Sequence, residues 1–192
     1  ELMAEWIGNR RSDLTFSETD AAADDGNRIF LAHCPERVLP GHLMQELLEN
    51  DRTVGGIDRP SAERARDFYA TFVHGAITLT NARAAELSKL VENAYRDVNI
   101  AFANELSIIC DDLDIDVWDL IQLANQHPRV NVLSPSSGVG GHCIAVDPWF
   151  IVASSPERAK LIRAAREVND SKPGHVVAKI KQAIGDRINA VV

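Results

Sequence analysis

The strongest constraint on the fold is the segment 81–112, in which apolar side chains recur at helical spacing. The apolar positions include Leu87, Leu90, Val91, Ala94, Val98, Ile100, Ala101, Leu106, Ile109 and Cys110. This spacing is typical of one face of an α-helix. Globular helices average about 10–14 residues, so a helix of this length commonly joins two domains or packs on a second copy. The sequence therefore predicts a long central helix and favours a homodimer.

Strand-like runs alternate with helical patterns ahead of this segment. Residues 29–32, 53–57 and 76–80 have the composition of short strands, and residues 2–10 and 42–49 have helical spacing. A further helix is expected after Ser61, since a serine is a good N-cap. Alternating strands and helices predict a doubly wound α/β sheet, in which the bounded apolar run 29–32 is a buried parallel strand.

Helical patterns and one long loop follow the central segment, so the fold class is α/β followed by all-α. Asp116 is expected to cap a helix, residues 128–141 are rich in Pro, Ser and Gly, and residues 144–154 return to helical spacing. Pro148 fits only near the start of that helix, because an interior proline would break it. A last helix is predicted to continue past Pro173.

Composition excludes several classes of function. The net charge of −8 is spread along the chain, which argues against binding of nucleic acid through a basic patch. No apolar run approaches the roughly 18 residues of a membrane span, so we expect no membrane anchor. The three cysteines are widely spaced, which argues against a disulfide framework and favours the reducing cytoplasm.

The run from Gly138 to Pro148 has the composition of a reactive site. Three glycines, at 138, 140 and 141, precede Cys143, and Asp147 follows four residues later. Glycines let a ligand approach the backbone closely. A helix that begins near Cys143 would favour its thiolate, and i,i+4 spacing on one helix would place Asp147 on the same face. Most free cysteines are simply buried apolar groups, and that alternative stays open.

Three further polar residues could complete a site for acyl chemistry. Lys89 and Asn93 are four apart on the predicted long helix, so both side chains point the same way. An ammonium and an amide aimed together can stabilise a developing oxyanion. Glu36 follows the strand 29–32, and ligands of open α/β sheets bind at the carboxyl ends of strands. Cys143 could then attack a carbonyl, with Asp147 or Glu36 activating the water that releases the product.

Four motifs together resemble the UDP-glucose/GDP-mannose dehydrogenase family, in particular its N-acetylmannosamine branch. They are GVGGHCIAVDPWFI at 138–151, CPERVLPG at 34–41, NIAFANEL at 99–106 and REVND at 166–170. The resemblance extends over nearly the whole chain. It implies oxidation of a nucleotide sugar at C6 by two NAD+ in succession, through an aldehyde, a thiohemiacetal and a thioester to the carboxylate.

The resemblance also implies a role for each candidate residue. Cys143 matches the thiol nucleophile, Lys89 and Asn93 match the oxyanion-binding pair, and Asp147 matches the aspartate that supports hydrolysis. Glu36 matches the glutamate of the Pro-Glu motif, which positions water, and Glu36 and Cys143 are expected to border the NAD cofactor.

Substrate contacts are expected from the loop that precedes Cys143. Arg129 and Asn131, together with Gly138, Gly140 and Gly141, are the candidate residues for the sugar nucleotide, and Arg129 is a candidate for the partner subunit's site. Pro40 occupies the position where the UDP-glucose branch commonly has a second glutamate, so an N-acetylhexosamine such as N-acetyl-D-mannosamine is expected. UDP-glucose and UDP-N-acetylglucosamine are the alternative substrates.

The resemblance implies three domains. Residues 1–80 correspond to the C-terminal part of an NAD-binding Rossmann-like domain, 81–187 to a central dimerisation domain, and 188–192 to the first strand of a UDP-binding domain. No Gly-x-Gly-x-x-Gly sequence occurs in the chain. We therefore expect a piece of a longer enzyme, which by itself neither binds NAD tightly nor turns over.

Two rival interpretations are open. The pairs His33-Cys34 and His142-Cys143 could form a Cys2His2 zinc centre, although adjacent ligands in both pairs are unusual spacing. The chain could instead be a dimerisation module without catalysis, in which Cys143 is inert.

Overall fold

The computed structural model describes residues 2–16, 27–38 and 41–185. The chain divides into two compact units, residues 1–89 and 90–192, and the boundary lies within the longest helix. The expected strand at 188–192 lies wholly outside these residues.

The described residues form seven helices and five strands. The helices are α1 Leu2–Arg10, α2 Leu43–Glu49, α3 Arg59–Tyr69, α4 Ala82–Asp112, α5 Val117–Ala124, α6 Asp147–Ser154 and α7 Lys160–Ile184. The strands are β1 Thr15–Phe16, β2 Arg28–Ile29, β3 Ala32–His33, β4 Arg52–Gly56 and β5 Ile77–Asn81. The predicted long central helix is therefore confirmed as α4, with 31 residues.

The first unit is built on the parallel pair β4 and β5, in which Val54 lies opposite Leu79. The expectation of one buried parallel strand at 29–32 is wrong. That run is divided between β2, which pairs in parallel with β1, and β3, which pairs antiparallel with β4. A run of four apolar residues does not encode whether the neighbouring strand is parallel or antiparallel, because that depends on how the rest of the chain connects the two strands.

Close packing on β4 explains its Val-Gly-Gly sequence. Val54 is fully buried. A Cβ at Gly56 would lie 2.4 Å from the backbone nitrogen of Ala62 on α3, and one at Gly55 would lie 2.5 Å from the Cβ of Ala85 on α4. Two helices therefore approach this strand closely enough to exclude any side chain there.

Asp58, not Ser61, caps α3. The Asp58 side chain accepts a hydrogen bond from the backbone N–H of Ser61, and Pro60 lies in the first turn. Ser61 is buried, and its hydroxyl accepts from the backbone N–H of Leu31. Aspartate and serine are both good N-cap residues. The Ser61 hydroxyl is used by its buried hydrogen bond to Leu31, which leaves Asp58 to cap the helix.

The second unit packs α4 against the helices that follow it. Its buried apolar residues include Ala94, Ala101, Ala103 and Cys110 on α4, Ile121 on α5, Val152 on α6, and Ala165 on α7. Asp116 caps α5 as predicted, accepting from the N–H groups of Trp118 and Asp119. Pro148 lies in the first turn of α6, and α7 continues past Pro173, so both expectations are confirmed.

No helix among the described residues is both long enough and apolar enough to cross a membrane.

Candidate active site

Cys143 lies in the turn that leads into α6, with its thiol free and its residue exposed. The helix expected to begin near Cys143, over residues 144–154, begins at Asp147 instead. The backbone N–H of Asp147 nevertheless donates to the carbonyl of Cys143 at 2.8 Å. One helix-like turn therefore links the two residues, and Cys143 is accessible to a ligand.

Asp147 is held by the long helix. The Nδ2 of Asn93 donates to Oδ2 of Asp147 at 2.5 Å, across 54 residues of sequence, and both side chains are half-buried. The structure thus brings together two residues that the sequence placed in one site by resemblance. Since the amide carries two hydrogens, its second N–H remains for another acceptor.

Lys89 lies one turn before Asn93 on α4 and is half-buried. The i,i+4 spacing on a continuous helix gives the two side chains a common direction, as the sequence predicted. An ammonium and an amide donor on one helix face can converge on a single negatively charged oxygen.

The Cys143 loop, residues 136–146, is shaped by glycine. Gly138 has a φ of 140°, and a Cβ there would lie 2.7 Å from Cγ of Pro173 on α7. Gly141 has a φ of 85°, whereas a Cβ at Gly140 would meet nothing within 4 Å. Gly138 therefore has a packing role against α7, while Gly140 and Gly141 lie on open surface that a ligand can approach.

The loop with Arg129 and Asn131 is closed by one side chain. Asn125 donates from Nδ2 to the carbonyl of Val132 at 3.0 Å and accepts at Oδ1 from the Val132 N–H at 2.7 Å. The amide thus replaces a pair of backbone hydrogen bonds. Arg129 and Asn131, the candidate residues for the sugar nucleotide, lie exposed between these anchor points.

Glu36 belongs to the first unit and is fixed by several donors. Its Oε2 accepts from Nη1 of the buried Arg52 at 2.9 Å, and its Oε1 accepts from the N–H groups of Arg37 and Val38. Partial burial acts to raise the pKa of Glu36, but these hydrogen bonds outweigh it and leave that pKa below its ordinary value. Glu36 is thus better suited to hold a ligand or water than to abstract a proton.

A cleft of about 970 Å³ in the first unit lies where β4 and β5 end. Ile57 and Asn81, at the carboxyl ends of these strands, line it together with His33 and with Trp6 of α1. In open parallel sheets this edge is where nucleotide ligands bind.

Sequence reasoning missed a group of buried polar residues in the second unit. Asp97, Asn104, Arg166 and Asn169 are almost fully buried and hydrogen-bonded to one another. The available signal was that Asp97 and Asn104 interrupt the apolar spacing of α4 on its buried face, where a polar residue needs a partner.

The described residues include no group of three or more His, Cys, Asp or Glu side chains placed to hold a metal ion. The zinc centre considered for His33-Cys34 and His142-Cys143 is therefore not assembled in this part of the chain.

Two domain matches place the chain among known proteins. The NAD binding domain of the UDP-glucose/GDP-mannose dehydrogenase family matches residues 8–73, and the central domain of the same family matches residues 83–171. The chain belongs to this family. The family resemblance drawn from the four motifs is confirmed, as is the fold class.

Individual members of the family are similar over most of the chain. The UDP-N-acetyl-D-mannosamine dehydrogenase of Campylobacter jejuni is 60% identical over 97% of this chain and 45% of its own length. An NDP-N-acetyl-D-galactosaminuronic acid dehydrogenase of Ralstonia nicotianae is 57% identical over 95% of this chain and 43% of its own length. The chain thus spans less than half the length of these curated relatives.

A solved structure has the same fold. The UDP-D-ManNAc dehydrogenase of Pyrococcus horikoshii matches with a TM-score of 0.82 at 38% identity, over 97% of this chain and 42% of the other.

Proposed function

We propose that the chain is part of an NAD-dependent nucleotide-sugar 6-dehydrogenase that oxidises a UDP-N-acetylhexosamine to its uronate. The observation that carries the proposal is the hydrogen bond between Asn93 and Asp147, a residue whose backbone N–H also bonds the carbonyl of the exposed Cys143. In a chain of this family, we assign these three residues as oxyanion donor, base and nucleophile.

The reaction consumes one alcohol, one water and two NAD+, and yields one carboxylate, two NADH and three protons. NAD+ supplies the hydride acceptor for both oxidations. The Cys143 thiolate adds to the C6 aldehyde and forms a C–S bond, and loss of the second hydride converts this thiohemiacetal to a thioester. Addition of water to the thioester then breaks the C–S bond and regenerates the thiolate.

Lys89 and Asn93 stabilise the negative charge on the C6 oxygen at each addition step. Asn93 donates one N–H to Asp147 and keeps the second for that oxygen. Asp147 in turn keeps Oδ1 for the attacking water and accepts its proton. The same amide therefore orients the base and contacts the reacting oxygen.

The NAD-binding part is assigned to residues 1–80, and its cleft at the ends of β4 and β5 fits a nucleotide. Glu36, whose carboxylate accepts a hydrogen bond from Arg52, is the proposed acceptor for water or ribose. Residues 81–187 form the central domain, and 188–192 begin the UDP-binding domain.

N-acetyl-D-mannosamine is the favoured sugar. The Campylobacter relative named for that substrate has the highest identity among those described above, and the sequence CPERVLPG at 34–41 supports the same branch. Similar identity to a relative named for N-acetyl-D-galactosaminuronic acid makes that epimer the nearest competitor. Arg129, Asn131, Gly140 and Gly141 are the proposed contacts of the sugar nucleotide.

A homodimer through α4 completes the proposal. Exposed apolar residues recur along one stripe of this helix, namely Leu87, Val91, Tyr95, Phe102 and Ile109. A second copy of the same helix is the expected occupant, because a 31-residue helix offers a long self-complementary surface and each copy would cover the other's stripe.

The decisive experiment follows NADH release from the full-length protein with a panel of UDP-sugars and counts NADH per sugar oxidised. We expect two NADH per UDP-N-acetyl-D-mannosamine and none from a Cys143→Ala variant at steady state. One NADH per sugar would indicate a simple alcohol dehydrogenase. Unchanged activity of Cys143→Ala would remove the thiol from the mechanism.

A further inference from the structure

The Cys143 loop is attached to one face of α4 at both of its ends. At its start, the backbone N–H of Ser136 donates to Oδ1 of Asn104 at 2.7 Å. Immediately after it, Asp147 accepts from Asn93. Asn93 and Asn104 are eleven residues apart, about three helical turns, so they lie on the same face of α4.

The first attachment is the end of a chain of buried hydrogen bonds. Arg166 on α7 donates from Nη1 to Oδ1 of Asp97 at 2.6 Å. The same oxygen accepts from Nδ2 of Asn169 at 2.8 Å, and Oδ1 of Asn169 accepts from Nδ2 of Asn104 at 2.8 Å. All four side chains are at most 1% exposed.

The hydrogen bonds at Asp97 give this buried series a direction. The backbone carbonyl of Asp97, which can only accept, and its Oδ1 both accept from Nδ2 of Asn169, so Asn169 presents its NH2 group to Asp97 and its oxygen to Asn104. Asn104 must then present its own oxygen outward, where it meets the N–H of Ser136. A flip of either amide would place like groups opposite each other in a buried site, which is costly.

A buried ion pair seldom adds net stability by itself, since burial of both charges offsets their attraction. The Asp97–Arg166 pair therefore calls for another role. It sets the orientation of two amides, and the second of these holds the backbone that leads to the nucleophile. Ser136 passes the constraint onward by donating from Oγ to the carbonyl of Gly138, which packs on Pro173.

We propose that the buried chain Arg166–Asp97–Asn169–Asn104 is a positioning device that holds the Cys143 loop in its reactive conformation. This inference rests on the proposed function of Cys143. None of the four residues contacts the reacting atoms in this role. They act through the backbone of Ser136, in parallel with the Asn93–Asp147 bond at the other end of the loop.

The test compares Asn104→Ala with Ser107→Ala in the full-length protein. Ser107 is the matched control, because it is a buried polar residue nearly one turn further along α4. Its hydroxyl accepts from Lys172 and donates to the backbone carbonyl of Asn104, so its removal leaves the Asn104 side-chain amide and the bond to Ser136 in place. For Asn104→Ala we expect kcat with UDP-N-acetyl-D-mannosamine to fall about 10- to 100-fold. The KM should change by less than about threefold, since the misplaced group is the nucleophile and the sugar contacts remain.

Amide hydrogen exchange provides a readout independent of activity. We expect amides of the segment 133–146 to exchange about 5- to 30-fold faster in Asn104→Ala than in wild type. In Ser107→Ala, the exchange rates of the same segment should equal those of wild type. Ser136→Pro removes the donated N–H together with the hydroxyl that bonds Gly138, and it leaves the four buried side chains in place, so it carries the test if Asn104→Ala does not fold. Ser136→Ala, which removes only the hydroxyl, is its control.

Wild-type exchange and kcat in a folded Asn104→Ala or Ser136→Pro variant would overturn the proposal. Equal effects of Ser107→Ala would do so as well, because they would indicate general loss of stability. Absence of turnover by wild type with every UDP-sugar would contradict the proposed function instead, and the exchange comparison would still decide whether the buried chain holds the loop.

Discussion

Asn93 is the residue to which we assign two roles. Its amide donates to Asp147, and its position one turn after Lys89 on α4 puts the two residues on the same face of the helix. An amide is suited to both contacts because it offers two donors at a fixed angle. A carboxylate at this position would repel Asp147 as well as the oxyanion.

Replacement of Asn93 by alanine should lower kcat about 100- to 1,000-fold, the usual effect of losing an oxyanion donor. Steady-state kinetics of the full-length protein test this expectation. Asn99→Ala is the control, since among the described residues the Asn99 side chain donates to the carbonyl of Tyr95 on its own helix. Equal losses in both variants, or none in Asn93→Ala, would contradict the role.

Glu36 and Arg52 make the first unit sensitive to acid. The pKa of Glu36 is lower in the folded protein than its value of about 4.3 in the unfolded chain. Ionised Glu36 therefore stabilises the fold above that unfolded value, and the contribution disappears as the pH falls through the folded pKa. Arg52 is buried and needs this partner.

We expect Glu36→Gln to unfold at lower urea concentration than wild type at pH 7. The difference should shrink between about pH 5 and pH 3, as wild-type Glu36 becomes protonated. Urea titrations across this range provide the measurement, with Glu5→Gln on the exposed face of α1 as the control. A constant difference at every pH would show that Glu36 acts only through packing.

At the scale of elements, α7 determines where the Cys143 loop can lie. Pro173 lacks the N–H that would bond the carbonyl of Asn169 one turn earlier, and its ring faces Gly138. The loop contacts α7 at Pro173, where a Cβ on Gly138 would lie 2.7 Å from Cγ of the proline ring, so glycine is the residue that fits there.

Gly138→Ala should destabilise the protein by about 1–3 kcal/mol, because it combines a disfavoured φ with a clash against Pro173. Thermal unfolding measures the effect. Gly140→Ala, where the added Cβ meets nothing, should change stability by less than about 0.5 kcal/mol. Equal melting temperatures for the two variants would contradict the packing role of Gly138.

At the scale of the whole molecule, α4 serves three purposes. It continues from the first unit into the second, it provides Lys89 and Asn93, and it exposes an apolar stripe. Because the proposed catalytic residues and the exposed stripe are on one helix, the proposed association of two copies would also restrict the motion of that helix.

The double variant Tyr95→Glu, Phe102→Glu should be monomeric at micromolar concentration, since two buried carboxylates would face each other across the proposed interface. Sedimentation velocity distinguishes the states. Met44→Glu, an equally exposed apolar position on α2, should leave the dimer intact. A dimer that survives the double change would place the interface elsewhere.

Much of this organisation is already present in local sequence patterns. Helical spacing predicted α4 nearly to the residue, Asp116 predicted the start of α5, and Pro148 predicted the beginning of α6. These features depend on contacts between residues within a few positions, which a single sequence displays directly. Local patterns did not predict that α6 begins only at Asp147, after Cys143, or that Asp58 caps α3 in place of Ser61. Both features depend on contacts with residues elsewhere in the fold.

What the sequence by itself determined is the order of the helices and strands and, through four motifs, the family and the candidate residues. Only the tertiary structure decided that Asn93 bonds Asp147, that Arg52 fixes Glu36, and that Asp97 orients two amides toward the Cys143 loop. Such pairs lie far apart in the chain, and buried polar groups select their partners by three-dimensional proximity and donor direction. Neither quantity is encoded in local spacing.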